Sequence, residues 1–167
     1  MESKQLIFGC NDEAGLVALE LVSGAQGRDE MLLFIRKDGQ TLQQKEPFAP
    51  FFWLNNPDLL KEAPVPTDIH TLSGHNPFSH LCSFQSWKDL DKCAGWLKKS
   101  KGVRPGDPSS PIFLLNDPLQ QHLMRTGRTL FKGMAFEELR RVQVDIETYT
   151  TPPFEFSNAG REGDRII

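Results

Sequence analysis

Pro50-Phe51-Phe52-Trp53-Leu54 decides how this chain is read. Large apolar residues run together here, approached through Pro47 and Pro50 and followed by Asn55-Asn56-Pro57. That pattern spells a strand at 51–54 set between turn signals. Consecutive strand residues point to opposite sides of a sheet. The aromatic run therefore predicts packing on both faces, with one or two rings at most left for a ligand.

Outward from this strand, Asn56-Pro57 starts a short helix through Leu59-Leu60, because proline suits the first helical position. Asp68–Leu72 and His80–Phe84 read as strands. Ser86 caps a helix, with Asp89 three residues on as a partial capping box. Leu90, Cys93, Ala94 and Leu97 then mark a buried helix face. After an exposed loop from Lys101 to Pro111, Ile112–Leu115 is the closing strand. The order over about 48–116 is a βαββαβ unit, two helices on one face of a four-stranded sheet.

Leu6–Cys10, Val17–Val22 and Glu30–Ile35 read as an antiparallel meander ending at the Lys37-Asp38-Gly39 turn. Asp117-Pro118 caps a further helix running to about Met124 and stopped by Gly127, and a connection through Gly133 follows. The fold class expected is α+β.

The 167 residues carry a net charge of −3, so no overall basic field advertises nucleic acid, and any DNA binding is expected to be weak and salt-sensitive. Positive charge clusters locally in Lys98, Lys99, Lys101 and Arg104, and again in Arg125, Arg128, Lys132, Arg140 and Arg141. Cys10, Cys82 and Cys93 are widely spaced and fit a reducing cytosol. Neither a signal peptide nor a membrane-length apolar run is visible, so a cytoplasmic chain is expected, nucleoid-associated in a prokaryote.

Val142-Gln143-Val144-Asp145-Ile146-Glu147-Thr148 alternates as a buried strand would, with Asp145 and Glu147 on one face. Two neighbouring acids repel unless something positive lies between them. Hard oxygen ligands select Mg²⁺ or Mn²⁺. Two such ions about 3.5–4 Å apart clamp the attacking and leaving oxygens of an in-line phosphodiester displacement.

Val144-Asp145-Ile146-Glu147-Thr148 resembles the first exonuclease motif of family B DNA polymerases. Pro47-Phe48-Ala49-Pro50-Phe51-Phe52-Trp53 resembles a Pro-Phe-x-Pro-Tyr-Phe segment of their N-terminal domains, and the region from Leu119 to Leu139 is similar to their connector into the motif. The resemblance implies an N-terminal domain over 1–131 containing a ferredoxin-like βαββαβ unit akin to RNA-recognition modules. It implies the first strands of a truncated RNase H-like 3′–5′ exonuclease domain over 132–167. Asp145 and Glu147 would be catalytic residues and metal ligands, with DNA and the remainder of the polymerase chain as partners. Further family motifs would lie beyond Gly163-Asp164-Arg165-Ile166-Ile167, so the fragment is expected to be inactive alone.

Candidate DNA contacts are Phe51, Lys98, Lys99 and Arg128. Aromatic rings stack on bases and cations reach phosphates, although consecutive aromatics equally build a core, and lysines at a helix end equally complement its dipole. In some archaeal relatives of the family the N-terminal domain reads template uracil. Pro50 and Phe51 match part of one wall of that pocket, whereas Gln85–Leu90 lacks the prolines of the other. His75 and His80 lack a nearby third ligand for zinc. The alternative reading is a stand-alone nucleic-acid-binding module in which Asp145 and Glu147 merely belong to a C-terminal strand.

Overall fold

A computed structural model of the chain describes residues 8–139 and 142–166. The expected strand at Leu6-Ile7 and the charges of Arg140 and Arg141 lie outside the described residues; Phe8-Gly9 is a turn. The chain divides into two compact units after Met134.

The first unit is mixed α+β, with two antiparallel sheets and two α-helices among the described residues. Strands β1 (Leu16–Ser23), β2 (Asp29–Lys37) and β3 (Gln40–Phe48) form a three-stranded sheet in that order. The expected end of the meander is a hairpin instead. Asp38 and Gly39 both take positive φ (50° and 77°), as a tight two-residue hairpin requires, and β3 returns along β2. Because β3 is an edge strand it reads as polar, and Gln, Lys, Glu and Pro on such a strand discourage pairing with another chain.

The second sheet holds β4 (Phe51–Leu54), β5 (Asp68–Thr71), β6 (His80–Ser83) and β7 (Ile112–Phe113), in the order β5-β6-β4-β7 and antiparallel throughout. The expected first helix is only a 3₁₀ turn, Pro57–Leu60. The Asn56 side chain accepts the Asp58 N–H at 2.9 Å there. Leu59 and Leu60 supply too little apolar stripe to extend it before Pro64. Helix α1 (Trp87–Ser100) starts where expected, with Ser86 Oγ accepting the Asp89 N–H at 3.2 Å. Leu90, Cys93 and Leu97 of α1 pack on Phe52, Leu54, Cys82, Phe84 and Ile112.

Helix α2 (Pro118–Thr126) is capped by Asp117, which accepts the N–H groups of Leu119 and Gln120. It ends at Gly127 in the left-handed conformation (φ 72°). Leu123 joins Leu16, Leu19, Met31, Leu33 and Phe48 in a second core. Gln121 pins α2 to the other sheet: its side-chain oxygen accepts the Phe51 N–H and its amide donates to Leu115 O, both at 2.8 Å. Asp29 ties the meander to α1 by accepting the Trp87 N–H at 2.6 Å.

The second unit, from Ala135, carries one short pairing, β8 (Thr148–Tyr149) with β9 (Arg165–Ile166). Of the buried strand expected at 142–148, only Thr148 enters a strand. Val142, Val144 and Ile146 are 87%, 75% and 61% exposed, and no ladder begins before Thr148. Alternation prepares a face, but a strand needs a neighbour for its N–H and C=O groups. Among the described residues of this unit, only Thr148–Tyr149 and its partner Arg165–Ile166 have one.

Candidate nucleic-acid interface

Alternation along β4 sends Phe52 and Leu54 toward α1 and leaves Phe51 and Trp53 on the opposite face. Cross-strand pairing lines up His70, Leu81, Trp53 and Phe113 in one row across all four strands of that sheet. Phe113 is 47% exposed. Its ring lies 5.5 Å from Trp53 and 6.0 Å from Phe78, at interplanar angles of 40° and 38°. Together the rings form an aromatic row on the sheet face turned away from α1. Neither Phe113 nor Phe78 belongs to a sequence motif that marks it as a ligand contact. The signal was present in Ile112-Phe113, where a core isoleucine puts the next residue on the other face.

Phe51, expected to contact DNA, is fully buried. Trp53 packs edge-on against its ring at 4.9 Å, and the Arg125 guanidinium sits 5.7 Å from the ring centre. A ring closed in this way supports the sheet and has no face for a base. Pro50 beside it is buried too.

Lys98 and Lys99 are exposed at the end of α1. Helix α1 packs on the Phe52 face, so these lysines are not brought together with the Trp53–Phe113 row. Arg128, also expected at DNA, is buried and locked among carboxylates. It grips Glu46 with two nitrogens at 2.6 and 3.0 Å, and its Nε donates to Glu13. Arg128 holds the Glu46 carboxyl below its ordinary value, and Glu46 in turn raises the guanidinium. A cation satisfied on this scale is not free for phosphate.

A cavity of about 960 Å³ opens beside this cluster, between β3, the 66–68 and 83–85 segments and α2. Glu46, Phe48, His122, Arg125 and Arg128 contribute to its wall. The thiols of Cys82 and Cys93 lie elsewhere, in the α1 core, where burial pushes them up to about 12 and about 11. They are therefore protonated and unreactive near neutrality.

Asp145 and Glu147 stand on exposed, non-strand chain. Among the described residues no group of three or more His, Cys, Asp and Glu side chains could hold a metal ion. Two solvated carboxylates alone do not fit a two-metal centre. Replacing Asp145 with Ala is accordingly expected to change the unfolding free energy by no more than about 0.5 kcal/mol, as at ordinary surface positions. Urea unfolding measures this, and a larger loss would mean that the carboxylate has a structural partner.

No helix among the described residues is long and apolar enough to cross a membrane. No protein-family model matches the chain, and comparison with curated proteins found no match.

Proposed function

We propose that the chain is a nucleic-acid-binding scaffold, the N-terminal part of a family B type DNA polymerase. The observation that carries this reading is the Trp53–Phe113–Phe78 row on the sheet face turned away from α1, where Phe113 is 47% exposed. The order β5-β6-β4-β7, with β4 and β6 central, supports it. RNA-recognition modules stack bases on aromatic residues of a four-stranded sheet. Single strands suit such a row because every base has a π-face, whatever the sequence.

Changing Phe113 to Ala should weaken binding of a fluorescent oligothymidine about five- to tenfold, the lower part of the roughly 1–3 kcal/mol per stacked base. Fluorescence anisotropy at low salt measures it, and unchanged affinity would remove the row from the interface. Because Phe113 is half exposed, its loss leaves the α1 core intact.

Asp145 and Glu147 enter this proposal as two carboxylates of an exonuclease site that other acidic residues must complete around Mg²⁺ or Mn²⁺. The unit carrying them would then be the start of an RNase H-like domain. Metal-dependent degradation of a single-stranded 3′ end by this chain, abolished by Asp145→Ala, would show instead that the site is complete.

The exposure of the 142–147 segment favours a second reading, a nucleic-acid-binding module without catalysis. The coding sequence past Ile167 separates the two. An open frame with further exonuclease-type aspartates supports the polymerase, and a stop codon supports the module.

A further inference from the structure

The cavity wall contains a buried imidazole with an unused nitrogen. His122 Nε2 has no hydrogen-bond partner among the described residues, yet lies 3.5 Å from Glu46 Oε2. The same carboxylate oxygen already accepts from Arg128 Nη1 at 2.6 Å. Two basic side chains thus aim at one acceptor, and only the arginine holds it. Arg128 extends the chain of contacts to Glu13, so the turn that follows α2 is tied to β3 and to the segment before β1.

We propose that His122, Glu46, Arg128 and Glu13 form an acid-released latch that holds α2 against β3 and closes one side of the cavity. At neutral pH the imidazole is uncharged and Arg128 keeps both oxygens of Glu46. Below that, a proton taken up by His122 turns Nε2–H toward Glu46 Oε2 and competes with Arg128 for it. The new charge also faces Arg125 from its own helix and Arg128 from the following turn. Glu46, on β3, is its single acidic partner among the described residues. Phe48, also on β3, offers only a ring edge 6.0 Å away. Arg28, Asp29 and Asp68 are the other charged groups on the cavity wall. Two cations on one carboxylate, with Arg125 beside the imidazole, are relieved when Arg128 lets go, and Glu13, more than half exposed, is a weak tether by itself.

The sign follows from the burial. Desolvation lowers His122 below its ordinary 6.5, and Arg128 and Arg125 add to this against the pull of Glu46. A base depressed in the folded state leaves stability intact above 6.5, and that stability is lost as pH falls from there toward the folded value. Glu46 is depressed below 4.5, so its own protonation comes later, in more acid solution.

Amide hydrogen exchange of the intact chain, corrected for intrinsic rates, tests the latch between about pH 7.5 and about pH 5. Protection in β3 near Glu46 and at the C-terminal end of α2 should fall by up to about tenfold per pH unit, the slope for one proton. The α1 core should keep its protection. In His122→Gln the slope should vanish. If that variant does not fold, the nitrogen resonances of His122 in the unaltered protein decide, because they should titrate below 6.5, with protection falling from 6.5 and levelling off at their midpoint. A slope retained in His122→Gln, or a His122 titration with no change in protection, would overturn the proposal.

Discussion

Exchanging Arg128 for Met is expected to cost roughly 3 kcal/mol of folding stability, the scale seen when a buried ion pair loses one partner. Methionine fills much of the space but leaves Glu46, only 19% exposed in its side chain, without its two-pronged donor. A carboxylate left in that position is penalised for its lost solvation and keeps only the exposed Gln44 amide, 2.9 Å away, and His122 at 3.5 Å. Urea unfolding monitored by tryptophan fluorescence measures the loss. Less than about 1 kcal/mol would place the cluster with ordinary surface pairs. The pH profile of the same variant adds a check. Arg128 is one of the charges that hold His122 down. Its removal should therefore flatten the decline in stability as pH falls below about 6.5.

Phe52→Ala is expected to be as damaging or more, at about 3–5 kcal/mol for a buried phenylalanine truncated to alanine. The ring is fully buried, lies 5.2 Å from Phe84, and sits at the junction of β4, β6 and α1. Domains of this kind are commonly stable by only about 5–15 kcal/mol, so much of the reserve would go. The urea midpoint should drop with little change in slope if unfolding stays two-state. The contrast with Phe113→Ala is informative because both rings belong to one sheet. The Phe52 substitution should harm folding, and the Phe113 substitution should harm binding. A small stability loss at Phe52 would mean that the α1 core collapses around the gap.

Much of the first unit was legible in the sequence because its signals are local. The Pro-bounded strand at 51–54, the Ser86 and Asp117 caps and the Gly127 stop all state their roles within a few residues. What escaped depended on partners. Strand β3 is polar and exposed, and it is a strand only because β2 offers a ladder along its whole length. The 142–147 stretch shows the reverse, with good alternation and no ladder. Arg128 read as a cation available for phosphate because Glu46 and Glu13, 82 and 115 residues away in sequence, hold it only in three dimensions. Phe51 read as a ligand contact and is buried for a similar reason. Sequence showed which residues alternate, whereas the packing of α2 on the Phe51 end of the sheet determined which ring was covered.

Nuclear magnetic resonance mapping of oligothymidine on the isotopically labelled chain tests the central claim most directly. Salt-sensitive shifts are expected along the His70, Leu81, Trp53 and Phe113 row and at Phe78, with the α1 face silent. Shifts confined to Lys98 and Lys99, or no shifts at low salt, would contradict it.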